Sequence, residues 1–133
     1  MVIDKKSWNG EILVVGDGVI VCNGAFFEFD QENKPDYIGY HLQENFEEWF
    51  ALQKQKLSLK NIEDISISTD GIFTFRPFNN KHFEACKIDL VDYLLKEKQG
   101  TKNPNILGKK LNTIEEKWGL RATDDLGIIR LIK

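Results

Sequence analysis

The sequence predicts an α+β fold built on antiparallel strands, and two observations carry that expectation. Short runs that are wholly apolar, or that alternate apolar with polar residues, are separated by tight-turn signals. Between them lie three stretches whose apolar residues recur at helical spacing. A chain of 133 residues suits one domain over 1–133. With 41% hydrophobic residues and only three prolines, disorder is excluded, and the core needs no metal or disulfide staple.

The first unit is expected to be three-stranded. Ile12–Val15 reads as a strand ended by Gly16-Asp17-Gly18, and Val19–Cys22 as a second. Asn23-Gly24 is a strong two-residue hairpin signal, because both positions tolerate positive φ, and Ala25–Phe29 returns as the third strand. The middle strand is apolar on both faces, so each of its sides needs a cover. A polar loop over 31–41 contains Pro35 and Gly39, and then the period becomes helical. Leu42, Phe46, Trp49 and Phe50 form one stripe of a helix over 42–55.

A second three-stranded unit is expected next. Ile65 and Ile67 alternate with Ser66 and Ser68, Asp70-Gly71 turns, and Ile72–Phe75 returns to an edge marked by Pro77. Asn79-Asn80-Lys81 turns again into a strand over 82–88. Asp89 reads as the N-cap of a helix over 89–98, with Leu90, Val91, Leu94 and Leu95 buried and Gly100 past its end. Asn103-Pro104 opens a helix over 104–118 that buries Leu107, Leu111, Ile114 and Trp118 and stops at Gly119. Ile128–Ile132 closes the order as β3-α-β3-α-α-β. Asp17-Gly18 and Asp70-Gly71 begin similar segments, but turns draw on few residue types, and chance is the better reading of that likeness.

The N-terminal residues lack the apolar core of a signal peptide, and no run approaches the roughly 18 apolar residues of a spanning helix. Cys22 and Cys86 form neither a CxxC pair nor a disulfide framework, and read as reduced. A cytoplasmic protein with no membrane partner is the expectation.

Charge is unevenly placed. Residues 1–50 carry ten acidic against three basic side chains, a net of −7, whereas residues 51–133 carry eleven against fifteen, a net of +4. The acidic excess peaks where Glu28, Asp30, Glu32, Asp36, Glu44, Glu47 and Glu48 face a single Lys34. Glu44 and Glu48 stand four apart on one helix, where like charges repel, although a helix N-terminus favours them. The basic run Lys96, Lys98, Lys102, Lys109, Lys110, Lys117 and Arg121 is interrupted by Glu97, Glu115 and Glu116. With fifteen Lys to three Arg and a pI near 5.4, it reads as solvated helix faces, and no nucleic-acid partner is expected.

Catalytic patterns are weak. His41, His82, Cys22 and Cys86 match no zinc spacing, and no Cys–His nucleophile pair is ordered by the sequence, so neither a metal nor a cofactor is expected. Gly16-Asp17-Gly18 joins two strands, whereas phosphate-binding loops open a helix. An enzyme is therefore not expected, the alternative being a small hydrolase or nuclease using Glu28, His41 or His82. A small-ligand module with Phe26, Phe29, Phe73 or Phe75 around an aromatic pocket is a further alternative. The favoured expectation is an acidic binding protein of the immunity or antitoxin kind, which blocks a cognate bacterial toxin by direct contact with its basic surface. Glu28, Asp30, Glu32, Asp36, Tyr37, Tyr40, Glu44, Glu47 and Glu48 would form the contact, with carboxylates steering encounter and aromatic side chains anchoring it.

Overall fold

A computed structural model of the chain describes residues 1–31, 38–78 and 88–133. Its fold is α+β, with nine strands among the described residues and every strand pairing antiparallel. The central sheet has the order β4-β3-β6-β9, formed by Ala25–Phe29, Gly18–Cys22, Asp64–Ser68 and Ile128–Ile132. A second sheet is β1-β2-β5, from Val2–Asp4, Asn9–Leu13 and Lys56–Leu59. A two-stranded ribbon joins β7 (Phe75–Pro77) to β8 (Leu120–Ala122). The helices are α1 (Phe46–Leu52), a π-helix at Asp92–Lys96 and α2 (Ile106–Glu116), with 3-10 turns at Ile38–His41 and Asp70–Phe73.

The apolar middle strand divides the molecule. In β3, Val19 and Val21 pack on Ile72, Leu94, Leu95 and Ile114, the helical side of the sheet. Ile20 and Cys22 point the other way, to Ile12, Ile62 and Ile65 and the second sheet. Both faces are thus covered, as a strand without polar alternation demands. Asn23 (φ 49°) and Gly24 (φ 84°) make the expected hairpin between β3 and β4. Asn23 does more than turn the chain. Its Oδ1 accepts the amides of Glu63 (2.9 Å) and Asp64 (3.2 Å), and its Nδ2 donates to the Asn61 carbonyl (2.9 Å). One local turn residue therefore also seats the start of β6.

The first three strands do not form one meander. The strand expected over 12–15 lies at Asn9–Leu13 and pairs with β1 and β5 in the second sheet. Gly16 (φ 90°) bends the chain between sheets, and Gln55 Nε2 donates to the Gly16 carbonyl at 3.2 Å. Gly10 fits its place because a Cβ there would lie 3.0–3.1 Å from Val2 O, Ile3 and Ile62. The strand expected over 72–75 is also replaced. Gly71 sits so close to the Asp125 carbonyl that a Cβ would approach it to 2.4 Å, and the chain takes a 3-10 turn that buries Ile72. β7 follows instead, ending at Pro77 and pairing with β8. Asp17-Gly18 leads into a strand and Asp70-Gly71 into this turn, so the two similar segments differ in structure. The strand expected over 82–88 lies, except for Ile88, outside the described residues.

The helices are shorter than periodicity predicts, because each starts later or ends sooner than its apolar stripe. Asn45 Oδ1 accepts the amides of Glu47 (3.1 Å) and Glu48 (3.4 Å), so α1 begins at Phe46 and not at 42, and extended Gln53 ends it. Asp89 Oδ1 takes the amides of Val91 (2.8 Å) and Asp92 (3.1 Å), the cap expected there. Downstream, the Glu97 amide reaches back to the Asp92 carbonyl at 2.9 Å, widening the helix and presenting Leu94 and Leu95 together to the sheet. Asn103 Oδ1 accepts the Asn105 amide at 3.0 Å, and α2 starts at Ile106, two residues later than expected.

Helices and sheet are tied by buried charge. Arg130 of β9 donates from Nη2 (2.6 Å) and Nε (3.1 Å) to the two oxygens of Asp64 on β6, with both side chains buried. The same guanidinium donates to the carbonyls of Glu97 (2.8 Å) and Lys96 (3.1 Å) at the end of the π-helix. Lys110, read from sequence as solvated, is buried instead. It donates to the Tyr93 carbonyl and to Glu97 Oε2 (3.3 Å), with the Tyr93 ring 4.5 Å away.

Two outcomes follow from this core. Arg130→Met leaves the buried Asp64 carboxylate unpaired and lowers stability by about 3–5 kcal/mol, read by urea unfolding, whereas the double change Asp64→Leu/Arg130→Met loses much less. Burial pushes the Cys22 thiol pKa up, with Asp64 adding to the effect. The fraction of reactive thiolate falls accordingly, so Cys22 resists iodoacetamide in the native protein and labels in urea, as peptide mass spectrometry will read.

Candidate functional site

Helix α1 gathers most of the described residues expected to form a contact surface. Tyr40 stands exposed on the 3-10 turn before it, and Glu47 and Glu48 occupy its first turn, where the helix dipole favours negative charge. Each carboxylate but Glu47 is held by a neighbour on this segment. His41 Nδ1 lies 3.0 Å from Glu44 Oε2, and Asn45 Nδ2 donates to Glu48 Oε1 at 3.3 Å. At the other end of the helix, Lys56 Nζ donates to the Phe50 carbonyl and sits 4.1 Å above the Phe50 ring.

The apolar stripe behaves differently from its reading in sequence. Of Leu42, Phe46, Trp49 and Phe50, only Trp49 is buried. Its ring packs beside His41 (5.0 Å) and Phe46 (5.8 Å), and Phe46 stacks on Phe50 (5.7 Å). Leu42 is 79% exposed, Phe46 66% and Leu52 78%, with Ile38 and Tyr40 exposed beside them. A cavity of about 390 Å³ opens into this surface between Leu13, Ile38, Leu42, Phe46 and Trp49, with Glu44 at its side. The indole N–H of Trp49 is enclosed and has no acceptor among the described residues. The site is therefore a greasy aromatic surface with a pocket, edged by Glu44, Glu47 and Glu48.

The remaining acidic residues fall elsewhere. Glu28 and Asp30, at the end of β4, line a separate cleft of about 180 Å³ together with Asp17 and Asp70. Asp17 there accepts the Gln31 amide at 2.6 Å. Glu32, Asp36 and Tyr37 lie outside the described residues. The expected contact set is thus split into two places, with α1 holding the part that also carries exposed aromatic side chains.

The other candidate chemistries are dispersed. Cys22 is in the core and His41 on the surface turn, while His82 and Cys86 lie outside the described residues. Among the described residues no three His, Cys, Asp or Glu side chains are set to hold a metal ion. Glu28 and His41 line different clefts. Phe75 packs on the helical side of the sheet and Phe29 on the opposite side, so the four phenylalanines enclose no common pocket. In the basic run, Lys96 pairs with Asp92, Lys110 with Glu97 and Arg121 with Glu115, so three of its seven cations have a carboxylate beside them. No helix of the described residues is long and apolar enough to cross a membrane.

Charge and spacing locate α1 in the sequence, but its uncovered apolar side was not legible there, since periodicity says which residues share a side and not what lies against it. Comparison with known proteins finds no matching family model, no similar curated protein and no similar solved structure.

Proposed function

We propose that this chain is a binding protein of the immunity or antitoxin kind, which neutralises a cognate toxin by docking α1 and the preceding turn on the toxin's basic surface. The observation that carries the reading is the exposed group Leu42, Phe46, Phe50 and Leu52, edged by Glu44, Glu47 and Glu48. Clustered exposed aromatic and aliphatic side chains mark contact surfaces, and carboxylates at their rim select a cationic partner. A nuclease toxin carries such a surface, because it must hold polyanionic substrate. The carboxylates would act on association, and the buried ring of an anchor such as Phe46 on dissociation.

Trp49, which lines the α1 cavity and whose indole N–H has no acceptor among the described residues, supports a second reading, a small ligand with a hydrogen-bond acceptor seated on an aromatic wall. A thermal-shift screen of metabolites separates the two, since only this reading expects a stabilising compound whose effect Trp49→Phe removes.

For the favoured reading, the test is association kinetics with the toxin encoded beside this chain, measured over a range of salt. Glu44→Lys/Glu47→Lys/Glu48→Lys slows association and flattens its salt dependence, while Phe46→Ala speeds dissociation by about 30-fold, equivalent to about 2 kcal/mol at an interface anchor. Both variants stay folded with a modestly lower melting temperature, because the side chains are exposed but Glu47 and Glu48 complement the helix dipole and Phe46 packs on Trp49. Unchanged kinetics in both, or a chain with no toxic neighbour, defeats the proposal.

A further inference from the structure

We infer that the outer edge of β9 pairs with the same strand of a second copy of this chain, joining two central sheets across a two-fold axis through Arg130. The strand is a sheet edge, since no described strand lies beyond it in the order β4-β3-β6-β9. Its hydrogen-bond phase is fixed by the Thr69 amide to the Gly127 carbonyl (3.1 Å) and the Lys133 amide to the Glu63 carbonyl (2.9 Å). Together with the register Ile65↔Leu131 and Ile67↔Ile129, these bonds turn the odd-numbered residues of β9 inward to β6. The N–H and C=O groups of Ile128, Arg130 and Ile132 therefore point out of the sheet, along its open edge.

Soluble proteins usually guard such an edge with lysine, proline, a bulge or a solvated charge. The opposite edge, β4, follows that rule, with Glu28 exposed in mid-strand. β9 does not. Its sequence is Ile-Ile-Arg-Leu-Ile, and the one charge is turned inward to Asp64 and buried. Ile129 is 67% exposed and Leu131 39%, both on the face that continues into an apolar cleft of about 540 Å³ lined by Leu13, Val14, Ile67 and Ile128.

The occupant is identified by symmetry and by charge. Ile-Ile-Arg-Leu-Ile reads nearly the same in both directions about Arg130, so an antiparallel copy meets its own chemistry at every position. Ile128 faces Ile132 of the second copy and Arg130 faces Arg130, each as a pair that exchanges two backbone bonds. Ile129 faces Leu131 in the intervening pairs, where side chains approach most closely. The two Arg130 side chains do not repel strongly, because each is already neutralised by its own Asp64. A highly charged partner gains nothing on this edge, which separates it from the acidic surface of α1. Two-fold dimers, in which one patch meets itself, are also the commonest soluble homo-oligomers.

Sedimentation velocity of the full chain tests this, with reducing agent present to silence adventitious disulfides. The wild type is expected to form a reversible dimer as concentration rises. Ile129→Lys is expected to be monomeric at all concentrations, with the wild-type circular dichroism spectrum, because its side chain is exposed. Ile129→Cys/Leu131→Cys, oxidised with diamide, is expected to give a covalent dimer, whereas Ile129→Cys alone links far more slowly, since residues 129 of the two copies stand on a diagonal. Glu44→Lys/Glu47→Lys/Glu48→Lys leaves the dimer intact, so failure of α1 docking and failure of this pairing are read separately. A wild type that stays monomeric overturns the inference. So does a dimer that survives Ile129→Lys and is not captured by the paired cysteines.

Discussion

The contact between Arg130 and Asp64 organises the molecule more than any other described. It is buried at both ends and bidentate, and it crosses from the edge strand β9 to its neighbour β6. A buried pair is held at high cost in desolvation and contributes little net stability against an apolar replacement. Its value is positional. The guanidinium has donors to spare after binding the carboxylate, and it spends them on the carbonyls of Lys96 and Glu97, where the π-helix ends. Those carbonyls lack partners within the helix, so one side chain aligns two strands and terminates a helix above them. Ser66, between Ile65 and Ile67 on β6, adds a buried bond to the Leu95 carbonyl at 2.9 Å. The helical layer is thereby keyed to the sheet by polar contacts inside an otherwise aliphatic core.

Around that key, the two halves of the core follow from the alternation of side chains along β3 and β6. Helices take one face of the central sheet and the smaller sheet takes part of the other. Three strands cannot cover a face four strands wide, and the shortfall falls at β9, beside the cleft. A similar shortfall occurs at α1. The helix is seven residues long and, among the described residues, buries Trp49 while leaving Phe46, Phe50 and Leu52 exposed. Both surfaces singled out for binding are therefore places where the layers run out of cover.

Much of the fold was legible in the sequence wherever the determining chemistry is local. Asn23-Gly24, the Asp89 cap and the apolar periodicity around Leu94 and Ile114 each act within a few residues, and each of these elements is present, the helices with shorter bounds than expected. β1 and β5 were not legible, because strands of three and four residues carry too little alternation and their partner is distant in sequence. The 3-10 turn at Asp70–Phe73 escaped for a related reason. Only the close approach of Asp125 rules out any residue but glycine at position 71, and that approach exists solely in the folded chain. Of the candidate site, the charge of Glu44, Glu47 and Glu48 was visible, whereas the exposure of Phe46 and Leu42 depends on what fails to pack against them. The separation of Glu28 and Asp30 into another cleft likewise reflects the placing of β4 at the far edge of the sheet.

The order of synthesis gives the ion pair a further consequence. Asp64 and Arg130 are 66 residues apart, so the ribosome releases the carboxylate long before the cation that neutralises it. Until then β6 has β3 as a neighbour but lacks β9, and a carboxylate destined for the interior must remain hydrated. The hairpin of β3 and β4 can close early, since its turn is self-contained. The central sheet cannot complete until β9 has emerged, and closing so long a loop makes that step slow compared with the hairpin. A nascent chain of this protein thus leaves the edge of β6 that β9 will occupy unpaired throughout translation of the helical segment.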